Sequence, residues 1–358
     1  VAYLEGEAKF SDGGALTVDG ATIDAKKIII ATGTRPAMPS IDGIQSVPYL
    51  TSTSALELQE LPESLLVIGA GYIGAEIAQI FARAGVKVTI VSRRGLLPET
   101  EPEIGEALSG YFQDEGINMV SGITYDHITT KDGSIVLTVK DGNGPWEIVA
   151  DKVLIATGRT PNTESLNLSE AGIEVAANNG IKVDAQMRST REGVYAAGDV
   201  TGRDQFVYMA AYGAKIAAKN ALNGNSLSYD NSTMPAVVFT DPQIASVGLT
   251  EAEAKSLGYE VRTSVLTLDN VPRALAARDT RGLIKLVADG KTGKLIGGHI
   301  LAPEGADSIQ TVAMAIKAGM TYQEFGAMIF PYLTTVEGLK LAAQTFDMDV
   351  KKLSCCAG

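Results

Sequence analysis

A chain of 358 residues with 45% hydrophobic and 20% charged side chains is long enough for two or three domains, each with a sizeable core. A formal net charge of −12 at pH 7 repels phosphate backbones and excludes nucleic acid as a general partner. No apolar run approaches the ~20 residues that a bilayer-spanning helix needs, so no membrane is expected.

The predicted elements start with short strands and turns over residues 1–36. There ALTVDGATIDAKKIIIATGTRP alternates, turns at Asp-Gly and enters a buried strand ending at Gly33. The first residues, VAYLEGEAKF, have no basic start, no apolar h-region and no Met. The expectation is a chain without a signal peptide, cut from a longer one. From residue 64 the pattern becomes strand, glycines, helix, strand: Ile73, Ile77, Ile80, Phe81 and Ala84 recur at helical spacing, and Val86 to Val91 reads as a second strand. This is a βαβ unit, and DKVLIATGRTPN (151–162) closes its region. GVYAAGDV (193–200) is another buried strand, followed by a helix from about Phe206 to Leu222. Pro235 and Pro242 mark a boundary; alternating strands follow to about 302, then helices near 305–318, 321–329 and 335–343. IIIATGTRP (28–36) and VLIATGRTP (153–161) form a weak internal repeat, which fits two nucleotide-binding halves of similar design.

Gly69, Gly71 and Gly74 form G-x-G-x-x-G between a strand and a helix. The first allows a tight turn, the second lets a pyrophosphate approach the backbone, and the third allows close helix–strand packing. The helix N-terminus adds amides and a positive dipole end. A dinucleotide that is NAD would want an acidic residue at the end of the second strand. Here Ser92, Arg93 and Arg94 stand there instead, Ser92 lying 23 residues after Gly69. Guanidiniums suit a 2′-phosphate, so NADPH is favoured, although Arg94 also reads as a solvated surface charge. Asp199, at the end of its own strand, suits a second nucleotide or a turn cap.

The two cysteines of the chain, Cys355 and Cys356, are neighbours. Neighbouring Cα atoms lie about 3.8 Å apart, below the usual disulfide range of roughly 4.4–6.8 Å, so the pair is biased towards staying reduced or holding something else, and a reducing cytoplasm is expected. Structural zinc would need four ligands, and no further Cys or His cluster supplies them.

GAGYIGAEIA, the two ATG strand ends, GVYAAGD and VVFTDPQIASVG occur in the order and spacing of the flavin disulfide reductases, or class I pyridine nucleotide-disulfide oxidoreductases. The chain resembles that family over its whole length. MPAVVFTDPQ, LTLDNVPRALA, FPYLTTVEGLKLAAQTF and the terminal CCAG resemble its mercuric reductase branch. The resemblance implies an α/β fold of Rossmann-like FAD- and NAD(P)-binding domains, the FAD domain partial, plus an α+β C-terminal dimerisation domain. It divides the chain into 1–43 (FAD domain remnant), 44–160 (NADPH domain), 161–232 (FAD domain, continued), 233–349 (homodimer interface) and 350–358 (thiol tail). FAD would lie against Thr32, Gly33, Gly198 and Asp199, and NADPH against Gly69, Gly71, Gly74, Ser92, Arg93, Arg94 and Gly158.

Where the lipoamide and glutathione reductases carry a His–Glu pair, this chain has Tyr332 and Glu337; its histidines, His127 and His299, lie elsewhere. Proton transfer to a dithiol is thereby poorly supported, whereas a thiolate-held metal ion needs no such base. By resemblance Tyr332 contacts the metal or orders water near it, and the ring of Tyr72 shields the flavin until nicotinamide arrives; packing is the alternative for both. The family's N-terminal FAD βαβ unit and C-x-x-x-x-C pair have no counterpart here, so the isolated fragment is expected to bind FAD poorly and not to turn over. Hg(II) is soft and prefers thiolate sulfur. The resemblance makes Cys355 and Cys356 its collecting ligands, taking it from small thiols for reduction to Hg(0) by NADPH through FAD. A dihydrolipoamide-dehydrogenase-like reductase and a non-catalytic metal-binding or dimerisation fragment are the alternatives.

Overall fold

The run Ser64–Ile68 forms a strand with Leu65 to Ile68 fully buried, because both of its faces are covered. In the computed structural model, which describes residues 1–352, it lies at the centre of a parallel sheet ordered Tyr49–Leu50, Lys152–Ile155, Ser64–Ile68, Lys87–Val91, Asn118–Val120. Leu65 and Val67 face the helices Tyr72–Arg83 and Pro102–Asp114, meeting Ile77, Phe81, Leu108 and Phe112. Leu66 and Ile68 face the other way, onto Ile135, Leu137 and Val139 of an antiparallel meander, Thr124–Lys131, Ser134–Asp141 and Gly144–Ala150. A strand buried on both sides has no polar face to show, which is why its sequence is continuously apolar.

The chain divides into two compact units, one of Val1–Ala37 with Gly158–Asn231 and one of Met38–Thr157 with residues from Ser232 onward. The second unit also holds an antiparallel sheet ordered Ala236–Val238, Gln243–Gly248, Leu295–Ala302, Leu283–Asp289, Val261–Thr267. Helices Gly305–Ala318, Tyr322–Ala327 and Glu337–Gln344 pack on it through Ile309, Val312, Phe325, Leu339 and Leu341. Val238, Ile244, Leu283 and Leu301 of this sheet join the core of the parallel sheet's helices, so the two sheets share one apolar interior. Two short helices interrupt the strand-rich segment before residue 302. Glu251–Ser256 starts at a capping box of Thr250 and Glu253, and Pro272–Ala277 starts with a proline in its first turn. Periodicity is a weak guide at six residues, and the caps were the readable signal.

The other unit pairs Ile28–Ile30 with Val194–Ala196 in parallel and Thr34–Pro36 with Arg159–Pro161 antiparallel. Ala8–Phe10, Leu16–Val18 and Ala21–Ile23 make a small antiparallel sheet, and Val207–Asn223 is its long helix. Phe10, Ile30, Leu166, Ile181, Val194 and Val200 form its core. No helix among the described residues is long and apolar enough to cross a membrane.

Candidate functional site

The glycine loop leaves the strand Ser64–Ile68 and enters the helix Tyr72–Arg83, and each glycine answers a different constraint. Gly69 has φ +110°, and a Cβ on it would lie 2.3 Å from the carbonyl oxygen of Ala156. A Cβ on Gly74 would lie 2.1 Å from the carbonyl oxygen of Gly69, so Gly74 is the point where helix and strand touch. Gly71, with φ −83°, is the helix N-cap, and a Cβ there would meet nothing within 4 Å. Its side faces open space. The first i→i−4 bond of the helix runs from the Ala75 amide to the Gly71 carbonyl at 2.9 Å; the amides before it precede the helical ladder and can bind an anion. The cradle fits a pyrophosphate: tight where protein packs on protein, open where a ligand would approach.

Ser92 follows the strand Lys87–Val91 and is buried, its amide donating to the Val120 carbonyl (2.9 Å) and its hydroxyl reaching the Gly95 carbonyl (3.5 Å). Arg93 and Arg94 are exposed. Arg93 lies near Tyr125, whose phenol donates to the Val91 carbonyl at 3.3 Å and is pushed up to about 12 by burial, with the Arg93 charge pulling the other way. Arg94 donates to Glu99 at 2.6 Å. Tyr72, the first residue of the helix, is half-buried; burial raises its phenol above the ordinary value and the charge of Glu99 adds to the rise. Guanidinium groups at this strand end suit a phosphorylated ribose. Glu99 did not stand out in the sequence, because it is brought here by a turn rather than by the strand.

In the other unit, Thr32 and Gly33 follow one of two neighbouring parallel strands and Gly198 and Asp199 follow the other. The ends of these strands are where open α/β sheets take ligands. Thr32 donates through its hydroxyl to the Asn162 carbonyl (2.8 Å), and Asn162 returns a bond to the Thr32 carbonyl (2.9 Å). The Gly33 carbonyl accepts the Asn162 amide at 2.9 Å. Gly198 packs on the helix Val207–Asn223 at Ala210. Asp199 accepts through Oδ2 from the Thr34 hydroxyl (3.0 Å), which in turn accepts from Arg159 Nε (2.7 Å). Among the described residues Oδ1 of Asp199 has no partner, leaving one carboxylate oxygen to accept from a polyol. Thr34 and Arg159 escaped the sequence reading, although both stand next to the repeated Ala-Thr-Gly. Gly158 belongs to this unit as well, its carbonyl accepting the Ala37 amide at 2.9 Å.

Tyr332 is 60% exposed, while Glu337 is 2% exposed at the start of the helix Glu337–Gln344. Glu337 accepts through Oε2 from the Leu333 amide at 3.1 Å, and Leu333 has φ +64°. The carboxylate therefore pins the backbone next to Tyr332 rather than the phenol itself. Thr335, two residues on, is held to Glu304 at 3.1 Å. The loop carrying Tyr332 is thus tied at two points. Cys355 and Cys356 lie outside the described residues.

Residues 1–217 match the family described as pyridine nucleotide-disulphide oxidoreductase, and residues 234–343 match the dimerisation domain of the same family. A mercuric reductase of Lysinibacillus sphaericus is 47% identical over 357 residues, covering 99% of this chain and 65% of the relative. A mercuric reductase of Bacillus cereus is 48% identical over 357 residues, covering 99% of this chain and 56% of the relative. The chain thus spans less than two thirds of the length of either. Among solved structures, the Cu(II) complex of the HOCl-induced flavoprotein disulfide reductase RclA from Escherichia coli aligns with a TM-score of 0.86 at 32% identity, over 95% of this chain and 78% of that one. With its nucleotide-binding units and its C-terminal sheet, the chain belongs to the pyridine nucleotide-disulphide oxidoreductase family.

Proposed function

We propose that this chain works in a mercury(II) reductase, oxidising NADPH and delivering two electrons through FAD to a thiolate-bound mercuric ion. The observation that carries the reading is the 47% identity over 99% of the chain to a mercuric reductase. The adjacent thiols of Cys355 and Cys356 support it, since a soft two-coordinate metal prefers sulfur. Residues 44–160 would hold NADPH and residues 233–349 a second copy of the chain, making a homodimer.

When bound, NADPH supplies the hydride and FAD carries its two electrons onward, so that NADPH and Hg(II) become NADP⁺, a proton and Hg(0). The chain's own residues bind and orient. Gly71 leaves the pyrophosphate room, Gly69 and Gly74 set the loop against the strand, and Ser92, Arg93 and Arg94 take the adenosine ribose with its 2′-phosphate. Thr32, Gly33, Gly198 and Asp199 would hold FAD, Asp199 through the oxygen that Thr34 leaves unused, and Gly158, within residues 44–160, would contact NADPH. Glu337 fixes the loop of Tyr332, so its role is positioning, and Tyr332 is left exposed to meet the incoming metal. Tyr72 stands at the mouth of the glycine loop, where nicotinamide would enter. Cys355 and Cys356 would collect Hg(II) from small thiols. The cytoplasm, where thiols stay reduced and NADPH is available, suits this chemistry.

The test is anaerobic addition of HgCl2 to the FAD-loaded, full-length protein with NADPH and excess thiol, following absorbance at the NADPH band. Mercury-dependent oxidation is expected; its absence overturns the reading. The same assay with Cu(II) addresses a second reading, favoured by the 32% identical RclA structure solved as a Cu(II) complex: faster turnover with Cu(II) than with Hg(II) would reassign the substrate.

A further inference from the structure

The sequence leaves Arg94 either as a phosphate contact or as a surface charge, and the structure puts a third group into the question. Five residues after Arg94, Glu99 returns to it and pairs with it at 2.6 Å. The loop that makes this return is fixed. Leu97 has φ +46°, turning the chain back, and its amide donates to the Ala70 carbonyl of the glycine loop at 2.8 Å. Thr100 closes the turn, its amide (2.9 Å) and its hydroxyl (2.8 Å) both donating to the Leu97 carbonyl. Leu96 and Leu97 are buried, and the next residue after the turn, Glu101, is buried and held by the Glu251 amide at 2.6 Å and by Lys285 at 2.9 Å. Glu99 is therefore an exposed carboxylate on a backbone clamped at both ends and hydrogen-bonded to the dinucleotide loop. Arg93, by contrast, has no carboxylate partner among the described residues.

We propose that Glu99 is an internal competitor for the 2′-phosphate and sets how strongly the site prefers NADPH over NADH. The inference rests on the reading of Arg93 and Arg94 as the 2′-phosphate contacts. In the free protein Glu99 occupies Arg94. An arriving 2′-phosphate must take the guanidinium from it and then sit beside the displaced carboxylate, while Arg93 receives the phosphate unopposed. A ribose with a free 2′-hydroxyl never needs Arg94 and leaves the pair intact. Glu99 thus weakens the phosphorylated cofactor selectively, which keeps its release easy. Because both partners are largely exposed, at 66% and 73%, the effect is modest and salt-sensitive.

Calorimetric titration of the full chain with 2′,5′-ADP and with 5′-AMP, in 50 mM and 500 mM salt, tests this without needing FAD. The Glu99→Gln variant is expected to bind 2′,5′-ADP about 3–10-fold tighter than the parent at low salt. 5′-AMP should stay within about twofold, and the gain should vanish when Arg94→Gln is also present. Three outcomes overturn the proposal. If Arg94→Gln weakens 2′,5′-ADP binding but Glu99→Gln does not strengthen it, NADPH recognition stands and the competitor falls. If Glu99→Gln weakens 5′-AMP, Glu99 holds the ribose instead. If neither Arg93→Gln nor Arg94→Gln lowers the preference for 2′,5′-ADP over 5′-AMP, the NADPH reading fails together with the proposal.

Discussion

Lys285 is 1% exposed, yet it carries a charge. Its Nζ lies 2.9 Å from Glu101, 2.8 Å from Glu103 and 2.9 Å from Glu251. Burial works to discharge it, but the hydrogen bonds to the three carboxylates win and hold the ammonium above the ordinary lysine value. Glu251 is correspondingly held below the usual carboxylate range by Lys255 and Lys285. These contacts join the helix Pro102–Asp114 and the turn before it to the antiparallel sheet. Replacing Lys285 with Met leaves the hydrocarbon stem in place and strips a buried carboxylate, Glu101, of its cation. Breaking one partner of such a group costs about 3–5 kcal/mol, because the remaining charge stays desolvated. At roughly 2–4 °C per kcal/mol for a unit of this size, the melting temperature should fall by about 6–20 °C. The assay is thermal unfolding at neutral pH, read by circular dichroism on the parent, on Lys285→Met and on a Lys285→Met/Glu101→Gln double variant. The double variant should recover part of the loss, since it removes the stranded charge. A loss below about 1 kcal/mol in Lys285→Met, or no recovery in the double variant, would refute the argument that burial makes this cluster matter.

Gly71→Ala should leave thermal stability within about 0.5 kcal/mol, because its Cβ meets open space at an ordinary φ, yet weaken NADPH binding tenfold or more by filling the cradle. Gly74→Ala should damage both, and a nucleotide titration beside a melting curve separates the two cases. His299 lies directly across from Lys285 on the paired strand, donates through Nε2 to the Leu249 carbonyl at 3.0 Å, and is held below its ordinary value by burial. The unfolded chain therefore binds the extra proton first, and stability should fall as pH drops below about 6.5, a slope that His299→Gln should flatten in denaturant midpoints measured from pH 7 to 5. In the full-length protein, Glu337→Gln keeps an acceptor for the Leu333 amide and should retain most turnover, whereas Glu337→Ala strands that amide and should cost about tenfold in kcat. Equal losses in the two variants would point to the charge of Glu337 rather than its anchoring bond.

The resemblance to the flavin disulfide reductases is borne out, and it was legible because its motifs are local. The glycine loop is a contiguous run whose spacing reports a turn, a cap and a packing contact at once. The helix after it shows its buried face every three to four residues. The helices Glu251–Ser256 and Pro272–Ala277 were overlooked, since six residues give less than two turns of periodicity. Glu337 was readable as a candidate, but not as a residue that bonds to the Leu333 backbone. That contact depends on a left-handed turn at Leu333, for which a leucine side chain carries no signal.

By itself the sequence determined the elements that depend on near neighbours: the dinucleotide loop, the apolar strands that flank it and the adjacent thiols of Cys355 and Cys356. Only the tertiary structure decided which polar and charged groups meet. Thr34 and Asp199 are separated by 165 residues, and Lys285 and Glu101 by 184. Even Glu99, five residues from Arg94, reaches it only because a clamped turn reverses the chain. Pattern along the chain reports burial and periodicity, which are properties of a segment. A charge pair is a property of two surfaces; it exists only once folding has brought them within reach, and burial then decides how much it counts.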